Sequence, residues 1–205
     1  PDDERLAEGR IVLEPQSVKT GIAAESIERA QGTPSYYGTL EIRKEPEGLL
    51  LINELDIEDY LTRVVPSEMP SYYEKEALKA QAVCARTYAY RQIQANAYSQ
   101  YGAHVDDSTN YQVYNNTETY ERTDAAVAET YGQLLTVGGG LAEAYYFSTS
   151  CGYTTDGTLW GAPAESVPYL KAIPVTGNQV EMNLSDDALF EEYIKGKNAD
   201  ANDYA

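Results

Sequence analysis

Two short apolar runs, Tyr36-Tyr-Gly-Thr-Leu-Glu-Ile-Arg-Lys44 and Leu49-Leu-Leu-Ile-Asn53, flank Glu45-Pro-Glu-Gly48. Strand-length runs separated by a Pro/Gly turn predict a β-hairpin. Upstream, Ile11-Val-Leu13 predicts one short strand in an otherwise polar, acidic stretch. Asp56 is placed to cap a short helix from Ile57 to about Arg63, with Tyr60, Leu61 and Val64 towards the core. Pro66 and Pro70 then bracket Ser67-Glu68-Met69. Each proline biases its predecessor away from helix, so the expectation is a tight turn. Ser71 followed by Glu74 reads as a capping box. Beyond it, strong helix formers rich in alanine predict a long helix from about Tyr72 to Ala95.

The second half is more broken. Residues 102–120 read as loop and short strand. Thr123 is placed to cap a helix over Asp124 to Thr130, with Gly132 as its left-handed stop. Leu134 to Val137 and Leu141 to Phe147, joined by three glycines, predict another hairpin. A polar loop follows, then a last strand near Ala172, and Ser185 is placed to cap a final helix from Asp186 to about Lys195, with Gly196 after it. Hairpins with helices interspersed predict an α+β fold rather than a parallel α/β sheet. The expected organisation is a polar N-terminal extension or short strand over 1–35, a main domain over 36–175, and a C-terminal helix over 176–205 belonging to the same domain.

Composition narrows the function. The 205 residues include 33 acidic and 15 basic side chains, a formal charge of −18. That argues against a nucleic-acid or anionic-membrane surface, which needs clustered Lys and Arg. There are 19 Tyr and only 2 Phe. Tyrosine offers a flat apolar face and a hydroxyl, suited both to half-buried walls and to sugar contacts. No run of about 18 apolar residues is present, and no leader pattern opens at Pro1. The expectation is a processed chain whose export signal or membrane anchor lies upstream.

Candidate chemistry is sparse. With one histidine, no Ser-His-Asp or Cys-His arrangement can be built without His104. No glycine-rich phosphate cradle occurs. His104, Asp106 and Asp107 are a weak ligand set, better read as a solvated acidic loop, and neither metal nor cofactor is expected. What remains is carboxylate chemistry. Glu68 stands out by its place between two prolines. A glutamate held partly out of water has a raised pKa and can act as a general acid. The competing reading is a glutamate that only caps the turn.

One further pattern bears on that choice. Glu54-Leu55 and Glu58-Asp-Tyr60-Leu61 lead into Val65-Pro-Ser-Glu68-Met-Pro70. Glu76-Ala-Leu-Lys79-Ala-Gln81-Ala-Val-Cys84-Ala-Arg86-Thr-Tyr88-Ala follows, then Gln112-Val-Tyr114, Ala125-Ala-Val127, Thr130-Tyr-Gly132, Tyr145-Tyr146-Phe-Ser148-Thr-Ser150, Gly152 with Thr154, Trp160-Gly and Pro168-Tyr-Leu170. This series, over about residues 36–175, resembles the stage II sporulation protein D family. These are peptidoglycan lytic transglycosylases, with amidase-enhancer proteins as relatives. The resemblance implies that Glu68 is the catalytic acid/base, that Lys79 and Arg86 line the site, and that Gln81, Gln112, Tyr114, Tyr146, Ser148 and Ser150 belong to an extended glycan groove. It implies peptidoglycan strands as substrate, a cell-wall amidase or a sporulation complex as a further partner, and an extracytoplasmic location. The runner-up is a non-catalytic glycan-binding enhancer of an amidase. Some members bind zinc through Cys and His near the Gln-x-Tyr segment; this chain has only His104 there, so no zinc is expected. Where relatives often show paired glycines after Ser150, this chain has Cys151-Gly152. Cys84 and Cys151 are then either the disulfide of an exported protein or two separate thiols.

Overall fold

The structure, a computed structural model, describes residues 9–17, 20–27, 29, 32–116, 119–148, 150, 152–161, 163–175 and 186–198. The chain is an α+β protein that divides into two compact units, Pro1–Tyr146 and Phe147–Ala205.

In the first unit, strands β1 (Arg10–Leu13), β4 (Thr39–Glu45) and β5 (Gly48–Glu54) form an antiparallel sheet in the order β1-β4-β5. Ile42 pairs with Ile11 on one side and Leu51 on the other. The β4–β5 pair is the hairpin that the alternating pattern predicts, turning at Pro46 and Glu47. β2 (Ile22–Ala23) and β3 (Ser35–Tyr36) make a separate two-stranded ribbon. β1, β2 and β3 are thus built into the unit. Gly38, between β3 and β4, has φ +70, and a Cβ there would stand 2.2 Å from the Glu54 carbonyl oxygen, so only glycine lets the backbone close on β5.

Three helices pack with the sheet: α1 (Ile57–Glu68), α2 (Lys75–Ala95) and α3 (Glu121–Glu129). Leu61, Val64 and Val65 of α1, Leu78, Ala82 and Ala85 of α2, and Ala126 and Val127 of α3 share one core with Leu40, Tyr36 and Tyr114. The alanines of α2 let neighbouring backbones approach closely. Asp56 caps α1 by accepting from the Glu58 N–H at 2.8 Å.

Several local expectations are corrected. Pro66 does not open a turn; it lies inside α1, and Glu68 is that helix's last residue. An interior proline costs about 3 kcal/mol. Val64 and Val65, fully buried, each return about 1.5–3 kcal/mol only if the helix continues. The last turn is also stitched locally: Ser67 Oγ donates to the Arg63 carbonyl at 2.6 Å and the Met69 N–H to the Val65 carbonyl at 2.9 Å. The Ser71–Glu74 capping box does not form, because α2 begins three residues later than predicted; Glu74 is its N-cap and makes no side-chain capping bond. α2 ends, as predicted, at Ala95, closed by Asn96 in the left-handed conformation at φ 50. Thr123 does not cap α3. Tyr120 does, and the Thr123 hydroxyl donates to its carbonyl at 2.9 Å from within the first turn. The second hairpin shrinks to β6 (Thr136–Val137) and β7 (Gly140–Leu141), with Gly138 and Gly139 both at positive φ in the turn.

In the second unit, Asp156 caps a 3-10 turn, Gly157–Trp160, by accepting from the Thr158 N–H at 2.9 Å. The strand expected near Ala172 is a single bridge, Tyr153 with Pro174. Helix α4 (Asp187–Asn198) closes the described chain. Asp186 supplies its cap, accepting from the Ala188 and Leu189 N–H groups at 3.0 and 3.1 Å; Ser185 lies outside the described residues. No described helix is long and apolar enough to cross a membrane.

Candidate active site

Glu68 ends α1, and a segment about 45 residues further on is laid against it. The Val113 N–H donates to Glu68 Oε1 at 2.6 Å and the Asn115 N–H to Ser67 Oγ at 3.2 Å. The stretch is anchored at its far end where the Ser35 N–H donates to the Asn116 carbonyl at 2.7 Å. At its near end Gln112 is 1% exposed. Gln112 Nε2 donates to the Ala85 carbonyl at 3.2 Å and to the Tyr146 hydroxyl at 2.9 Å, and Gln112 Oε1 accepts from the Tyr60 hydroxyl at 3.2 Å. The Tyr146 hydroxyl in turn hydrogen-bonds the Glu68 carboxyl.

The carboxyl of Glu68 is therefore half-buried in a wall of tyrosines. Burial is the largest influence on it and pushes its pKa up; the Val113 N–H and the Tyr146 hydroxyl, which favour the carboxylate, pull the other way without cancelling the rise. Tyr146 is pushed well above the usual phenol range, first by burial and then by the charge of Glu68. Tyr60 is raised by burial and then by Tyr146, Tyr114 and Glu68, and Tyr88 of α2 by burial, with Tyr111, Tyr145, Glu143 and Glu68 adding smaller effects. Oε1 faces an N–H, which can only donate, so the proton of the acid form sits on Oε2.

The two cations that the resemblance places in the site are each engaged by carboxylates other than Glu68. Arg86 is 1% exposed. Its Nε and Nη2 grip the two oxygens of Glu58, each at 2.7 Å. Its Nη1 and Nη2 also reach the Gln133 carbonyl at 3.3 Å, the Val127 carbonyl at 3.2 Å and Thr130 Oγ1 at 3.5 Å. Arg86 thus ties α1, α2 and the end of α3 together, and no polar atom of it is left for a glycan. Lys79 is partly buried and lies between Glu76 at 3.1 Å and Glu129 at 3.8 Å.

Other candidates divide likewise. Tyr114 is buried, stacks at 5.0 Å on Tyr60 and donates to Asn53 Oδ1 at 2.9 Å, so it supports the wall from behind. Gln112 also works from behind, holding Tyr146. Gln81 is buried on α2, and its Nε2 has no protein partner. Ser148 and Ser150 are exposed residues of the second unit, where Ser150 Oγ accepts from the Gly152 N–H at 3.3 Å. Cys84 is a free, half-buried thiol; Cys151 lies outside the described residues. His104 is exposed, and its acidic neighbours are engaged apart from it: Asp106 with Tyr98 and Ser108, Asp107 with Arg29. Among the described residues no three potential ligands converge on a metal site. Sequence reasoning overlooked Tyr60 and Tyr88 as parts of the wall and the Val113 N–H as a contact of Glu68. The heavy use of tyrosine was the available signal for the first two; a backbone N–H leaves none.

The comparisons with known proteins fall on the same stretch. The family model described as Stage II sporulation protein matches residues 45–137. A stage II sporulation protein D of Bacillus subtilis is 33% identical over 178 residues, covering 76% of this chain and 51% of its own length. An uncharacterized protein of Brachyspira hyodysenteriae is 39% identical over 140 residues, 67% of this chain and 37% of its own. An amidase enhancer of Bacillus subtilis is 40% identical over 113 residues, 55% of this chain and 14% of its own. The chain spans about half or less of these relatives. The matched stretch holds Glu68, the Arg86–Glu58 pair and the segment laid across Glu68, and over residues 45–137 the chain carries a domain of the stage II sporulation protein family.

Proposed function

We propose that this domain cuts the glycan strands of peptidoglycan as a lytic transglycosylase, with Glu68 as the single acid and base. Glu68 Oε2 gives its proton to the glycosidic oxygen as the bond from MurNAc C1 to that oxygen breaks. The carboxylate then takes the proton of the MurNAc C6 hydroxyl as O6 closes on C1. The proton is restored to the enzyme, and a 1,6-anhydro end is left. An ordinary glycosidase needs a second carboxylate to activate water or attack C1; here the substrate supplies the nucleophile. The observation that carries the reading is the setting of Glu68: half-buried, raised by burial, and met by neutral donors. Lys79 and Arg86, which at close range would hold it ionised, are engaged by other carboxylates. The family supports a sporulation or cell-wall role, and that substrate places the protein outside the cytoplasm.

A second reading has one observation in its favour, the similarity to a protein named amidase enhancer. In it the same surface binds glycan without cutting and stimulates a partner amidase.

Mass spectrometry of purified glycan strands separates the two. New 1,6-anhydro-MurNAc ends with the parent and none with Glu68→Gln support the transglycosylase. Reducing MurNAc ends would mean a hydrolase. Strand retention without cleavage by either form would favour the enhancer.

A further inference from the structure

The Gln112 side chain cannot be turned end for end. One of its amide hydrogens goes to the Ala85 carbonyl, which can only accept, so Nε2 and not Oε1 must face α2. The other amide hydrogen goes to the Tyr146 hydroxyl oxygen, and Oε1 is left to accept from Tyr60. The amide plane is fixed from three directions, and Gln112 itself is shut off from water. Direction then passes along the chain. Tyr146 already accepts from Gln112, and its single hydroxyl hydrogen is free to go only to its other partner, Glu68.

We propose that Tyr60, Gln112 and Tyr146 form a one-way hydrogen-bond chain that dedicates the Tyr146 hydroxyl as a donor to Glu68, making Tyr146 a positioning residue for the acid and Gln112 and Tyr60 the groups that set its direction. Glu68 thereby has two fixed donors, the Val113 N–H and the Tyr146 hydroxyl, to receive it when it becomes a carboxylate. Both must be left without an anion each time it is reprotonated. The chain works against burial: burial holds the proton on, and the two donors make it possible to lose. A carboxyl with burial alone would keep its proton and stall before accepting from the C6 hydroxyl. Among the described residues, the ionisable groups that face Glu68 are Tyr60 from α1, Tyr88 from α2 and Tyr146 from the stretch after β7. All three are phenols raised well above neutrality, so Glu68 titrates beside groups that stay uncharged.

The proposal rests on the reading of Glu68 as the acid, and its test uses two measurements on the whole chain. One is the carboxyl carbon-13 shift of Glu68 against pH, assigned with Glu68→Gln. The other is the pH profile of anhydro-end formation. In Tyr146→Phe the ring remains and one donor is lost. Glu68 should titrate at higher pH than in the parent, the alkaline limb of the activity should move up with it, and kcat should fall about tenfold, the weight of one hydrogen bond to a charged group. KM should stay unchanged. Tyr60→Phe frees Gln112 Oε1 and should move the titration the same way by a smaller amount. A Glu68 titration that stays put or moves down in Tyr146→Phe overturns the proposal. A titration that rises while the parent forms no anhydro ends keeps the hydrogen-bond chain and overturns the transglycosylase reading. Anhydro ends with an unmoved titration do the reverse.

Discussion

Glu58 and Glu68 sit on the same helix, ten residues apart, and are put to opposite uses. Glu58, in the first turn of α1, is met squarely by the buried guanidinium of Arg86, with 16% of its side chain exposed. Its charge is matched by a full opposite charge. Glu68, in the last turn, is met by a backbone N–H and a phenol. Its charge is accommodated and never matched. A paired carboxylate becomes a rivet; one given only neutral donors, half out of water, can hold or release a proton. Residue type does not separate them. The partner does.

The sharpest way to break that comparison is to remove each acid in turn. Glu68→Gln should lower the cleavage rate by about 10²–10⁴-fold with the far-UV spectrum unchanged. Glu58→Gln should do the opposite. Leaving the buried Arg86 charge without its carboxylate should cost about 3–5 kcal/mol of stability, read from urea unfolding, while the folded fraction keeps its turnover. If Glu58→Gln were to abolish cleavage without loss of stability, the division of labour would be wrong.

A smaller effect sharpens the contrast. A folded carboxyl whose pKa lies above its unfolded value binds its proton more tightly when folded. The stability it contributes is fully present below the unfolded pKa and is lost as pH rises through the folded one. Glu68 is such a group. The parent should thus unfold more easily than Glu68→Gln at neutral pH, and the two should converge below about pH 4, the ordinary range for Glu. Paired scans of urea midpoint against pH would show it. Smallest of all, Lys79→Ala should change stability by under about 1 kcal/mol, the usual worth of an exposed ion pair.

Local rules carried the sequence reading a long way through the first unit. The hairpin at Glu45–Gly48, the Asp56 cap and the end of α2 at Ala95 each depend on residues within one turn of each other, and each is present. Pro66 is where a local rule lost. Its bias against helix is real, but two buried valines and the Ser67 hydroxyl outweigh it. Arg86 shows a different limit. A motif says that an arginine belongs at a position, yet its partner, 28 residues back, decides whether it serves substrate or scaffold. In the Gln112–Asn116 stretch the Val113 and Asn115 N–H groups go to the side chains of Glu68 and Ser67 instead of a ladder; nothing in the pattern announces where it lies. Glu68 was legible as a candidate, and its surroundings were not.

That Val113 reaches Glu68 across 45 positions of sequence has a consequence for safety. A chain still emerging, or stretched out in transit, carries this glutamate as an ordinary solvated carboxylate with no special acidity. Reactivity appears only when the distant segment arrives. Under the proposed chemistry, a blade able to cut the wall around its own cell would be sheathed until the last of its parts had folded home.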